Sequence, residues 1–129
     1  MDSNLDTIRE KVALLSITLG RRPKVLVAGY DIESLAVLAR DAGLDVLYQG
    51  AEIGNLASAA HQEGVHLLWL VLSSKEYKEL PATLVLEGVS APVYIKSGRT
   101  SEILAHGEVI SCQAEAPLGI LGKLLAIVG

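Results

Sequence analysis

The stretch Val65-His-Leu-Leu-Trp-Leu-Val-Leu72 decides the fold of this chain. All of its residues except His66 are apolar, and a short continuous apolar run is typical of a strand buried on both faces of a parallel sheet. The run Lys24–Gly29 (KVLVAG) has the same character. We therefore predict two neighbouring interior strands, with His66 as a buried, hydrogen-bonded histidine.

Outward from these two runs, apolar strands alternate with amphipathic segments. Helices between strands require crossover connections, and these produce a parallel sheet. The sequence predicts one α/β domain over residues 1–129, a three-layer, doubly wound, five-stranded parallel sheet of flavodoxin-like order 2-1-3-4-5 with an extra N-terminal helix. The other predicted strands are Asp45–Tyr48, Val93–Lys96 and Val109–Cys112. The predicted helices are Leu5–Leu19, Ile32–Ala42, Ile53–Glu63, Lys75–Glu87 (one helix, or two pieces divided at Pro81), Ser101–Ala105 and Leu118–Val128.

Composition excludes several classes of protein. The 129 residues are 50% hydrophobic with a net charge of −4, which suits one buried core and argues against a dedicated nucleic-acid binder. The single cysteine excludes a disulfide scaffold and favours a reducing compartment. No apolar run approaches the roughly 18 residues of a membrane span, and the polar start is unlike a signal peptide. We expect a cytoplasmic protein.

Ligands of open parallel sheets bind beyond the carboxyl ends of the strands. At that edge a dinucleotide fingerprint fails, because Gly29 alone follows the first strand, and no Gly-Lys-Ser/Thr phosphate loop is present. A phospho-acceptor site fails as well, since the third strand ends in Leu72-Ser73-Ser74. We predict no catalytic residue and no metal ligand, so enzymatic activity is the least favoured class, and Asp31 is interpreted as a helix cap.

Arg99 is the charge at this edge that most suggests a ligand. It lies in Ser97-Gly98-Arg99-Thr100, ahead of the helix predicted from Ser101. Free backbone amides, hydroxyls and a guanidinium at such a point could hold an anion. The alternative is a solvated loop arginine beside an ordinary helix cap.

The opening Arg22-Pro-Lys-Val-Leu-Val-Ala28, after a leading helix, resembles the cobalamin-binding domain of corrinoid mutases and methyltransferases, and the resemblance extends from about Arg21 to Gly129. That family carries Asp-x-His-x-x-Gly after its first strand, and the histidine ligates cobalt. Here Asp31 matches the aspartate, but Glu33 replaces the histidine and Ala36 replaces the glycine. The resemblance therefore implies cobalamin as a candidate cofactor, bound without a histidine lower ligand.

Two further positions take part in the resemblance. The family places a serine facing the nucleotide tail of the cofactor after the third strand, where this chain has Ser73. Its Gly-Gly pair after the fourth strand corresponds to Ser97-Gly98. The candidate residues for binding a corrinoid or another anionic small molecule are Asp31, Glu33, Ser73, Ser74, Gly98, Arg99 and Thr100.

The last predicted helix is apolar almost all round, with Lys123 as its one charge. Such a helix is either covered on a second side by Leu5–Leu19 or forms an interface through Leu118, Leu121 and Leu125. An interface of this kind predicts a homodimer or a partner protein. Two functions follow: a non-enzymatic regulatory or protein-interaction module, or a carrier or sensor of a corrinoid or other anionic small molecule at the strand ends.

Overall fold

Six strands form one mixed sheet. The computed structural model describes residues 5–50, 64–73, 75, 78, 91–98, 100–105, 108–111 and 117–128. Its strands, in the spatial order β2-β1-β3-β4-β5-β6, are β1 (Lys24–Gly29), β2 (Asp45–Gly50), β3 (Leu67–Val71), β4 (Val93–Ser97), β5 (Thr100–Ala105) and β6 (Glu108–Ser111). Its described helices are α1 (Leu5–Leu19), α2 (Glu33–Asp41) and α3 (Pro117–Val128). The α/β class and the leading helix are confirmed.

The C-terminal edge of the sheet differs from the prediction. Strands β2, β1, β3 and β4 are parallel, but β5 and β6 are antiparallel to their neighbours. The helix predicted over Ser101–Ala105 is wrong, and so is an all-parallel sheet. Ser97 pairs with Thr100 across a two-residue turn, and Gly98 has a φ of 58°. Glycine at positive φ favours such a hairpin turn, which returns the chain beside β4 instead of starting a helix. The flavodoxin-like order is therefore not confirmed.

The two faces of the sheet bury separate clusters, because successive side chains of a strand point to opposite faces. Val25 and Val27 belong to the first cluster, with Leu67 and Trp69 of β3. All three described helices contribute to this cluster. The second cluster comprises Leu26, Ala28, Leu68, Leu70, Leu72, Val93 and Ile95. The helices predicted at 53–63 and 75–87 fall outside the described residues, apart from isolated positions, so the third layer stays a prediction.

Helix α3 packs inside the chain. Leu121 and Leu125 are each 2% exposed and belong to the same cluster as Ile8 and Val12 of α1. The structure therefore selects the alternative in which the leading helix covers α3, and these two leucines offer no free surface for a partner. The predicted dimer itself is not tested by this finding. Among the described residues, no helix has the length and apolar character needed to cross a membrane.

His66 joins the amino ends of the two interior strands. The backbone amide of Lys24 donates to His66 Nδ1 at 3.0 Å, and the His66 amide donates to the Lys24 carbonyl at 2.8 Å. Burial lowers the pKa of His66 from its ordinary 6.5, and the nearby charges of Arg21 and Lys24 lower it further. The hydrogen-bonded histidine expected from the sequence is confirmed, although the side chain is half-buried.

The lowered pKa of His66 predicts a loss of stability in mild acid. Because the pKa is lower in the folded state, the unfolded state binds the proton first, and the free energy of unfolding falls as pH drops below 6.5 towards the folded pKa. In His66→Asn, an amide oxygen can still accept from Lys24 and does not titrate. Urea unfolding between pH 7.5 and 5.0 should show a smaller decline for this variant than for wild type. Equal declines would contradict the assignment.

Candidate functional site

A pocket of about 350 Å³ lies at the carboxyl ends of the parallel strands. Residues near the ends of β3 and β4 and the two residues that follow β1 line it, because parallel strands direct their carboxyl ends to one edge of the sheet. The first turn of α2 and the start of α3 also contribute to its lining. The residues lining it are Tyr30, Asp31, Ser34, Leu35, Trp69, Val71, Tyr94, Lys96, Pro117 and Ile120.

Two opposite charges line the pocket. Lys96 follows Tyr94 by two residues on β4, and its side chain is exposed. Asp31 is also exposed, between β1 and α2. Neither has an ion-pair partner among the described residues. The pocket therefore offers a cation to an anionic group and a carboxylate to a hydrogen-bond donor.

Asp31 holds an uncommon backbone conformation. Its φ is 54°, the one positive value for a residue other than glycine in the described part of the chain. A residue other than glycine in this conformation costs on the order of 1–3 kcal/mol and persists only where the surrounding structure enforces it, and such residues cluster at functional sites. The N-cap position of α2 is Ile32 and has no side-chain hydrogen bond, so the helix-capping role predicted for Asp31 is wrong.

Two aromatic residues form the buried wall of the pocket. Trp69 is 6% exposed and Tyr94 is 5% exposed. Their ring centroids are 4.8 Å apart, with an interplanar angle of 65°, which is a favourable edge-to-face arrangement. The Tyr94 hydroxyl lies 2.6 Å from Ser101 Oγ on the neighbouring antiparallel strand. Trp69 Nε1 is buried and has no hydrogen-bond partner within the described structure.

Gly29 brings the end of β1 against β3. At this position φ is 116°, and a Cβ atom would overlap with the carbonyl oxygen of Val71. The next amide, that of Tyr30, donates to the same oxygen at 3.2 Å. This close approach places Tyr30 and Asp31 beside the end of β3, where both line the pocket.

Of the binding residues predicted from the sequence, those that the structure describes differ in whether they line the pocket. Asp31 lines it, whereas Glu33 is the exposed first residue of α2 and is not part of the lining. Ser73 is exposed beyond β3 and is also outside the lining. Ser74 and Arg99 lie outside the described residues. Their roles stay predictions.

The helix that was predicted to follow Arg99, and to provide part of an anion site, is strand β5 in the structure. Gly98 is at the hairpin turn, and Thr100 is the exposed first residue of β5. Since no helix begins at Ser101, the free amides of a helix N-terminus are not available there. Gly98 and Thr100 are not among the residues that line the pocket.

Sequence reasoning missed Trp69, Tyr94 and Lys96. It searched the loops after each strand, whereas these residues lie within the strands. A signal was available: residues two apart on a strand share a face. Trp69 and Val71 therefore form one row, and Tyr94 and Lys96 form the adjacent row.

The close approach at Gly29 predicts a large effect of Gly29→Ala. The added methyl group must displace the Val71 backbone and also strains a positive φ, so we expect a loss of at least about 2 kcal/mol of stability. Gly20→Ala is the matched control, because Gly20 has a φ of 74° but no atom within 4 Å of the place that the new methyl group would take, and about 1 kcal/mol is expected there. Urea unfolding measures both, and equal losses would contradict the packing argument.

Comparison with known proteins adds one relative. No protein-family model matches the chain. The ethylmalonyl-CoA mutase of Cereibacter sphaeroides is 32% identical over 104 residues, which cover 70% of this chain and 16% of the mutase. The chain thus matches a small part of a much longer protein. This similarity fits a cobalamin-binding-like fold.

Proposed function

We propose that this chain is a non-enzymatic carrier or sensor domain that binds an anionic, nucleotide-sized small molecule at the carboxyl ends of its parallel strands. The observation that carries the proposal is the pocket in which Lys96 and Asp31 lie above a wall of buried aromatic rings. Ligand sites of open α/β sheets occupy this position. A largely apolar wall with a few polar groups is typical of small-molecule sites.

The size of the pocket limits the ligand. Small-molecule sites measure about 300–1,000 Å³, and this one is near the lower end at about 350 Å³. It accommodates a single nucleotide-like group but not a whole corrinoid. The likeness to a mutase and the resemblance to corrinoid-binding domains make the nucleotide tail of a corrinoid one candidate for that group.

The described pocket fits such a tail but not a histidine-ligated cobalt. No histidine is among the described residues that line it, and Glu33, which replaces the expected histidine, lies outside that lining. A corrinoid bound here would have no ligand to cobalt from the described lining residues, and the protein would hold the phosphate of its tail through Lys96. The cobalt chemistry would then belong to the cofactor alone.

The regulatory or interaction module has weaker support than the ligand carrier. The apolar character of α3, from which it was predicted, is explained by burial within the chain. One observation still favours self-association: Leu14 and Ile17, three residues apart on α1, are 61% and 79% exposed. Exposed apolar side chains on one helix face can form a closed two-fold contact. We therefore propose, second, a dimer through α1 in place of the one predicted through α3.

Binding at the pocket should depend on Lys96. Equilibrium dialysis would use three probes: cyanocobalamin, dicyanocobinamide (which lacks the nucleotide) and AMP. We expect cyanocobalamin or AMP to bind and dicyanocobinamide not to. Lys96→Gln removes the cation and should weaken binding about tenfold, which corresponds to 1.4 kcal/mol.

Lys11→Gln is the control for Lys96→Gln, because Lys11 lies on α1 and is not among the pocket residues. It should bind as wild type does. Cyanocobalamin binding would identify a corrinoid tail, and binding of AMP alone would identify a free nucleotide. Failure of both probes, or equal binding by the two lysine variants, would overturn the proposed function.

A dimer through α1 should be disrupted by the double substitution Leu14→Lys with Ile17→Lys. Both side chains are largely exposed, so the fold should survive, and light scattering should change from twice 13.6 kDa to 13.6 kDa. Val37→Lys on α2 is the control, since Val37 is also 53% exposed. A wild-type mass of 13.6 kDa would overturn the second proposal.

A further inference from the structure

Tyr30 is the aromatic residue of the pocket that a ligand can reach. Three aromatic residues are among the described residues that line the pocket: Tyr30, Trp69 and Tyr94. Trp69 and Tyr94 are 6% and 5% exposed and pack against each other edge to face, so they present little surface to a bound molecule. Tyr30 is 47% exposed. Because the side chain makes up most of the surface of a tyrosine, much of this exposure belongs to the ring.

The backbone on both sides of Tyr30 has an uncommon conformation. Gly29 has a φ of 116°, and Asp31 has a φ of 54°. Between them, the Tyr30 amide donates to the Val71 carbonyl oxygen at 3.2 Å. A positive φ at a residue other than glycine persists only where the surrounding structure enforces it. The turn therefore holds Tyr30 beside the end of β3, where it lines the pocket.

Pairing in the sheet sets the spacing between Tyr30 and Lys96. Gly29 pairs with Val71, and Val71 pairs with Lys96, so these three residues lie side by side across β1, β3 and β4. Neighbouring strands are about 4.8 Å apart, which places the backbones of Gly29 and Lys96 about 10 Å apart. Tyr30 follows Gly29 directly. A ligand that reaches both Tyr30 and Lys96 therefore has two chemically different ends joined by a short spacer.

We propose that Tyr30 determines the ligand class: its ring stacks on a heteroaromatic ring at one end of the ligand, while Lys96 binds an anionic group at the other end. This inference rests on the proposed function and deepens it. Stacking requires only the flat face of a ring, and every nucleobase provides one. A mononucleotide has both parts, because a sugar separates its base from its phosphate. A sugar phosphate without a base lacks the partner for Tyr30.

Two substitutions at Tyr30 separate stacking from apolar bulk. Tyr30→Phe keeps the aromatic ring, whereas Tyr30→Leu keeps an apolar side chain without one. Isothermal titration would compare AMP with ribose 5-phosphate on the wild type and on both variants. We expect Tyr30→Leu to bind AMP about tenfold more weakly, as is typical when an aromatic side chain that stacks on a base is removed. Tyr30→Phe should bind AMP as the wild type does, and ribose 5-phosphate should bind all three proteins equally.

The proton NMR spectrum of the ligand provides an independent readout. An aromatic ring stacked on adenine shifts the H2 and H8 resonances of AMP upfield when AMP binds. This shift should be similar with the wild type and Tyr30→Phe, and smaller with Tyr30→Leu. Because Tyr30 is exposed, Tyr30→Leu should have nearly the same Tm as the wild type, so a thermal melt separates weaker binding from a loss of the fold.

The outcomes separate this inference from the proposed function. If AMP binds the wild type and Tyr30→Leu equally, or if Tyr30→Leu weakens ribose 5-phosphate as much as AMP, the role of Tyr30 is wrong and the binding function stands. If cyanocobalamin binds and AMP does not, the same variants are compared with cyanocobalamin, and equal binding overturns the role of Tyr30. If neither AMP nor cyanocobalamin binds the wild type, both proposals are overturned.

Discussion

The parallel pairing of β1 with β3 is the interaction on which the rest of the structure depends. It is held at one end by the reciprocal hydrogen bonds of Lys24 and His66, and at the other by the contact of Gly29 with Val71. Between these ends Leu26 faces Leu68, and both are completely buried. Because both strands are interior, each contributes side chains to both clusters of the core.

The same pairing creates the pocket. Gly29 allows the chain to leave β1 close to β3, and Asp31 then adopts its left-handed conformation at the edge of the sheet. Trp69 and Tyr94 form the buried wall of the pocket because they are on the face that the described helices cover, two residues before the end of β3 and three before the end of β4. Helix α3 contributes to the lining through Pro117 and Ile120. The lining thus combines the buried aromatic rings of Trp69 and Tyr94 with the exposed charges of Lys96 and Asp31.

The C-terminal edge of the sheet shows why a local pattern can mislead. The segment Thr100–Ala105 contains both polar and apolar residues and is short enough to fit either a helix or a strand. What decides its structure is the free edge of β4, which offers backbone hydrogen bonds, and a turn in which Gly98 tolerates positive φ. Ile103 is then buried in the first cluster, where a packed apolar contact outweighs weak local propensity.

The sequence by itself determined the α/β class, the two interior strands, the leading helix and the edge of the sheet at which a site would lie. Continuous apolar runs and helical spacing are local signals, and they are strong in this chain. Only the tertiary structure decided which face each residue occupies and what covers it. The apolar α3 is covered by α1, and Trp69 lies beside Tyr94 and Lys96, because pairing register and crossovers bring together residues far apart in the chain. The pocket depends on those pairings. Loop residues such as Ser73 and Gly98 indicated the edge of the sheet at which it lies, whereas strand residues such as Trp69 and Tyr94 line it.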